Sequence, residues 1–371
     1  MRLASALVLV LACGGCPGVR HDTPSNVLPT AEGFLAPSDL DPEVHPITTG
    51  SGADARHYFC APTIRARWNG HLVLYLVGAR EDPATAHAFA EYACGHGYAV
   101  IAPAYRNDRA IRDLCTDDAD CYEAVRREIV FGADPPPAVL DVGHANTLVH
   151  RIDTILAHLA IASPAVWSPV RTTYAGGLAR TIVVGFSQGT GHALILAHDR
   201  EVERVILMSG PLDRVHSLTS EQGPVTWIAR WARTSPKTPG TRMFAINYAA
   251  DPFTQPTELD ANYAALGIPG ATCEVTEDKP TGECHRFVIH TDPCARPIDG
   301  HVTPSVASFG TPTAPCALGG HSGTWGRPGT TCSRRTSRNA AQIRNVDVDV
   351  DLNLNVNATL DLDVHVIRSS S

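Results

Sequence analysis

The chain has no apolar run long enough to cross a bilayer as a mature helix, which takes about 20 residues. It also lacks a basic surplus. The formal net charge is −8 at pH 7, there is no basic patch, and nucleic acid is not expected as a partner. Aromatic residues make up only 6% of the chain. Eleven cysteines are present, but their loose spacing offers no paired C-x-x-C ligand sets, so no zinc or other metal is expected. No cofactor is expected either. What is present is 371 residues, 44% of them hydrophobic, with abundant Ala, Gly, Pro and Arg. That is enough for one enzyme-sized core with extra ends.

The N-terminus reads as an export signal, residues 1–16. Met1-Arg2 supplies positive charge, and Leu3 to Ala12 form a short apolar run. Ala12-Cys13-Gly14 then resembles a bacterial lipobox, in which Cys13 would be lipidated; Cys16 is a second candidate, and an ordinary secretory signal is the alternative. The only membrane contact expected is through that anchor. Residues 17–54 are rich in Pro, Ser, Thr, Asp and Gly without periodicity and are expected to form a flexible tether. An exported chain resides in an oxidising compartment, and setting Cys13 aside leaves an even number of cysteines for disulfides. Cys115 and Cys121 are the best local pair. Cys273 with Cys284, and Cys294 with Cys316, are further candidates.

Residues 55–316 alternate strand and helix signals. Continuous apolar runs occur at 72–77, 98–102, 181–184, 205–208, 243–246 and 286–289, the pattern of parallel strands buried on both faces. Helical patterns lie between them, at 84–95 and along the stripe Leu148, Ile152, Ile155, Leu156 and Leu159. Alternation of this kind predicts a doubly wound, mostly parallel α/β sheet with its site beyond the carboxyl ends of the strands.

One turn stands out. Thr181-Ile182-Val183-Val184 runs into Gly185-Phe186-Ser187-Gln188-Gly189 and out into a helix. A Gly-x-Ser-x-Gly sequence between a strand and a helix lifts the serine clear of the sheet, and the glycines make room for a sharp turn. The helix N-terminus aims N–H groups where an oxyanion would form. Ser187 is the candidate nucleophile.

On this elbow, followed by Gly191-His192-Ala193, the chain resembles the α/β-hydrolase superfamily. Cys121-Tyr122 with Arg126, Glu128 and Gly132, and Asn146 with Arg151-Ile152, resemble a subgroup of secreted microbial members. The likeness covers residues 55 to about 310. Phe186 stands where such proteins often have His. Val77-Gly78-Ala79-Arg80-Glu81 stands where they often have Pro-Gly-Thr-Gly-Gly. The resemblance implies a serine hydrolase without a cofactor.

A triad in this chain order needs an acid and then a histidine on loops at strand ends. Asp251, after the run 243–246, is the preferred acid, and Asp213, after 205–208, is its rival. Either could instead cap a helix. His301 is the preferred base and His290 its competitor; His285 begins a strand and lies at the wrong end, and His192 reads as a packing residue. The backbone N–H groups of Gln188 and Ala79 are the expected oxyanion donors. Residues 317–371 read as a low-complexity tail, with Asp347, Asp349 and Asp351 alternating with apolar residues. The expected function is hydrolysis of an ester through an acyl-enzyme. The alternative is a binding protein of the same fold that has lost activity.

Overall fold

The computed structural model describes residues 30–41, 43–50, 52–64, 67–116, 118–214, 224–249, 251–254, 256–275, 284–289, 346–353 and 361–368. Its strands are β1 (Thr30–Leu35), β2 (His57–Pro62), β3 (Leu72–Leu76), β4 (Ala99–Ala102), β5 (Thr181–Phe186), β6 (Arg204–Met208), β7 (Met243–Tyr248), β8 (Thr272–Val275), β9 (Arg286–Ile289), β10 (Val346–Asn353) and β11 (Asp361–Arg368). Its helices are α1 (His87–Gly95), α2 (Ile111–Cys115), α3 (Ala119–Phe131), α4 (Leu148–Ala162), α5 (Pro164–Ala175), α6 (Gln188–Asp199), α7 (Thr226–Ala229) and α8 (Pro256–Leu266).

Each apolar run of the sequence becomes a strand of one sheet, ordered β1-β2-β4-β3-β5-β6-β7-β9-β8. All pairings from β4 to β8 are parallel, and at one edge the β1–β2 and β2–β4 pairings are antiparallel because β2 alone is reversed. Every residue of β3, β4, β5 and β7 is buried, because helices cover both faces of a doubly wound sheet. This is the mostly parallel α/β-hydrolase type of fold. The chain moves outward from β3 to β4, then crosses back to β5 on the other side of β3. The carboxyl ends of β3 and β5 therefore flank the point where strand order reverses, which is where such sheets open a crevice.

Helix α6 follows β5 directly, and its residues from Gln188 to Ala197 are all buried. It is a helix sunk in the core, which accounts for its lack of an apolar stripe. Among the described residues, no helix is long and apolar enough to cross a membrane.

Two expected disulfides, Cys115–Cys121 and Cys273–Cys284, are present. A third, Cys60–Cys94, ties β2 to α1 across 34 residues. Nothing local in the sequence announces it, since the two cysteines meet only after the sheet forms. Cys294, Cys316 and Cys13 lie outside the described residues.

The ordered body begins earlier than the expected boundary at residue 55. Strand β1 pairs with β2 over its whole length. Arg151, fully buried in α4, donates from Nη2 to the His45 carbonyl at 2.6 Å, and Asn146 Oδ1 accepts from His45 N–H at 2.8 Å. Part of the presumed tether is thus held by hydrogen bonds, which leave no hydrophobic periodicity to read. Near the other end, the alternating stretch forms two eight-residue strands, β10 and β11, paired antiparallel in a separate sheet.

Candidate active site

Ser187 sits between β5 and α6 with φ 51° and ψ −118°, a conformation costly for any residue with a Cβ and held only by its surroundings. Those surroundings require glycine. A Cβ at Gly185 would lie 2.5 Å from the Gly189 carbonyl oxygen, and one at Gly189 would collide with the Leu76 carbonyl. The Ser187 N–H donates to Met208 O of β6 at 2.9 Å. The Ser187 carbonyl accepts from Thr190 N–H at 3.0 Å and Thr190 Oγ1 at 2.6 Å. Strand, turn and helix are stitched together around one side chain.

That side chain lines a cavity of about 300 Å³ whose wall includes Gly78, Ala79, Glu81, Ile111, Tyr122, Arg126, Gln188, Asp213 and Phe253. The expected oxyanion residues Ala79 and Gln188 are therefore both beside Ser187. Gly78 also abuts it, since a Cβ placed on Gly78 would lie 3.2 Å from Ser187 Cβ. The Gln188 backbone opens α6, where first-turn N–H groups have no intrahelical partner. Its side chain ties that end of the helix to the neighbouring wall: Oε1 accepts from Ile111 N–H at 2.8 Å and Nε2 donates to Arg109 O at 3.2 Å.

The two candidate acids have different surroundings. Asp213 is 4% exposed and lines the cavity. Arg126 grips it with Nε to Oδ2 at 2.7 Å and Nη2 to Oδ1, and Trp227 Nε1 donates to Oδ2 at 2.9 Å. The same guanidinium donates from Nη1 to the Gln188 carbonyl at 2.9 Å, and a Cβ at Gly191 would strike it. Gly191 and Arg126, noticed separately in the sequence, are two sides of one contact. Asp251 follows β7, is 5% exposed, and its Oδ1 accepts the Phe253 N–H at 2.8 Å. Phe253 is in the cavity wall, so the Asp251 loop borders the site.

Tyr122 is held neutral. Burial foremost, with Asp213 adding to it, pushes its phenol up to about 12 against the opposing charges of Arg126, Arg112 and Arg214. His192 lies behind the elbow in α6, fully buried, with its ring 5.2 Å from that of Tyr105. Burial first, then the Arg126 charge, holds its pKa well below the ordinary histidine value; it is a neutral packing residue outside the cavity wall. His285 immediately precedes β9 at its amino end, with Nδ1 2.9 Å from Met243 O and its ring stacked on Phe244. His290 and His301 both lie outside the described residues. The structure thus gathers Ser187, Gln188, Ala79 and Asp213 in one cavity with Asp251 at its border. Sequence reading missed Glu81 as a wall residue; a carboxylate three residues after the glycine that follows β3 was the available signal.

No protein-family model matches the chain, and no curated protein matches its sequence. Among solved structures, similarity is found to a protein from Klebsiella pneumoniae subsp. pneumoniae assigned as a dienelactone hydrolase. It is 14% identical, with a TM-score of 0.35, over 71% of this chain and 86% of that one.

Proposed function

We propose that this chain is an exported serine hydrolase that cleaves carboxylic esters through an acyl-enzyme. The observation that carries the reading is Ser187 at φ 51°, on a strand–turn–helix at the sheet's switch point, facing a cavity it shares with Ala79 and Gln188. Ser187 attacks the ester carbonyl, a histidine takes its proton and returns it to the leaving alcohol, and a buried aspartate orients the imidazole. The developing oxyanion is met by the N–H groups of Gln188 and Ala79.

Asp251 is the acid in this reading. It follows β7, two strands from β5, and its Oδ1 holds the turn that carries Phe253 into the cavity wall. His301 is the base, with His290 as its rival. Both follow β9, the strand next to β7, so the chain that carries them leaves the sheet beside the acid. Export agrees with the three disulfides, which persist in oxidising compartments. A lipid on Cys13 would anchor the chain.

Reaction with a fluorophosphonate probe, and turnover of p-nitrophenyl acetate or butyrate, test the reading. Ser187→Ala should abolish both while leaving the melting temperature unchanged, a loss on the order of 10⁴-fold or more. His301→Ala should match it; if His290→Ala does so instead, the base is reassigned and the mechanism stands. Full activity in Ser187→Ala would refute the enzymatic reading.

A further inference from the structure

We propose that Glu81 and Asn107 are positioning residues that shape the oxyanion loop with side-chain hydrogen bonds, where related turns rely on glycine. The inference rests on the serine-hydrolase reading. A donor must face Ser187 from the loop after β3, and the backbone carbonyls of that loop must face elsewhere, because a carbonyl dipole aimed at a developing negative charge would oppose it.

Named contacts along Val77–Glu81 bear on both requirements. The Gly78 N–H, on a residue that abuts Ser187, is taken up by Glu81 Oε2 at 2.8 Å. The next donor is the Ala79 N–H, on the cavity wall, which has no acceptor among the described residues. The carbonyls are drawn away. Val77 O accepts the Tyr105 hydroxyl, Gly78 O accepts Asn107 Nδ2 at 2.7 Å, and Glu81 O accepts the same amide at 3.0 Å. The Asn107 carbonyl in turn accepts Arg80 N–H at 2.6 Å, and Arg80 O accepts Gly50 N–H at 2.9 Å. Arg80 has φ 64°, the left-handed conformation that a glycine would adopt freely and that these bonds hold in an arginine. Asn107 itself is 1% exposed and has no room to release the loop.

Glu81 acts here as an acceptor and not through its charge. Its carboxylate oxygen and Ser187 Cβ lie 3.0 and 3.2 Å from the same point beside Gly78, so its negative charge opposes an oxyanion formed at Ser187. Removing the charge while keeping an acceptor should therefore do no harm, whereas removing the acceptor should release the loop.

The test compares Glu81→Gln and Glu81→Ala in the full chain by kcat, KM, melting temperature and affinity for a trifluoromethyl ketone, whose serine adduct places an oxyanion in the loop. Glu81→Ala should lower kcat about 10- to 100-fold, no more than the smallest loss expected from removing one oxyanion donor, since the donor is displaced and not deleted. KM and melting temperature should barely change, and trifluoromethyl ketone affinity should fall in step with kcat. Glu81→Gln should keep or exceed wild-type kcat. Asn107→Asp, which keeps shape but removes both donated bonds, should lose kcat with the same parallel loss of inhibitor affinity.

Wild-type kcat in Glu81→Ala would overturn the inference, as would a Glu81→Gln as impaired as Glu81→Ala, because the charge itself would then be required. Failure of the wild type to react with the fluorophosphonate would remove the hydrolase reading and this inference with it. A wild type that reacts, beside a Glu81→Ala that reacts as fast, removes the loop inference alone.

Discussion

Asp213 and Asp251 follow adjacent strands, each almost wholly buried, yet their surroundings differ. Asp213 spends both oxygens on Arg126 and Trp227. Its partner also holds the carbonyl of Gln188, so the pair braces the elbow from below. A carboxylate saturated in this way has little left to orient an imidazole. Asp251 accepts the Phe253 N–H of its own turn on Oδ1, and Phe253 lines the cavity. A buried acid is thus defined by what sits across from it: for Asp213 that is a guanidinium that also braces the elbow.

The sharpest way to break this comparison is to neutralise each acid in turn. Asp251→Asn should lower kcat on a short p-nitrophenyl ester by about 10³- to 10⁴-fold with little change in melting temperature, because a misoriented imidazole remains in place. Asp213→Asn should do the reverse. Leaving Arg126 buried and uncompensated costs about 3–5 kcal/mol, a drop of about 10 °C for a domain of this size. Exchanged outcomes in kinetics and calorimetry would exchange the two roles.

A second prediction keeps acid lability from being mistaken for catalytic titration. His57 is buried, its Nδ1 accepts the Ala104 N–H at 2.9 Å, and burial followed by the Arg151 charge lowers its pKa to about 3. A histidine lowered in the fold takes up its proton first in the unfolded chain. Its contribution is therefore complete above about pH 6.5 and is lost as pH falls toward 3. At pH 4.5 the loss should be about 3 kcal/mol. His57→Gln, which retains an acceptor, should lose less stability than the wild type between pH 7 and 4.5 in thermal melts, with the buried His192 accounting for part of what remains. Equal losses in both proteins would exclude His57 as the source.

The smallest effect concerns the part of the wall built by α2 and α3. Cys115–Cys121 joins α2 to α3, which place Ile111 and Tyr122 in the cavity wall. The double variant Cys115→Ser/Cys121→Ser should lose about 2 kcal/mol through loop-closure entropy. It should also raise KM more than it lowers kcat, since the wall loosens while the elbow does not. An unchanged KM in steady-state kinetics would show that the wall stands without its staple.

Much of the fold was legible because buried parallel strands are written as unbroken apolar runs, and β3 to β7 and β9 carry such runs. Strands β1 and β2 were not legible. They form an antiparallel edge whose residues, such as Glu32 and His57, serve hydrogen bonds as well as packing. The four-residue β8, Thr272–Val275, is too short to show a period. In the site, Ser187 and Gln188 were readable from one local motif, and Ala79 from its place after β3. Glu81 was not, because its role depends on a turn that folds the carboxylate back onto Gly78. Arg126 and Asp213 are 87 residues apart, and no local pattern joins them.

Local sequence determined the elements whose causes are local: the alternation of buried strands and helices, the glycines that permit the turn at Ser187, and the short-range disulfides. Tertiary structure alone decided which acid is tied up, which glycine yields to a guanidinium, and which cysteines meet across 34 residues. The physical reason is range. Steric limits and hydrophobic periodicity act over a few residues, whereas ion pairing and desolvation depend on groups that folding brings within about 3 Å from distant parts of the chain.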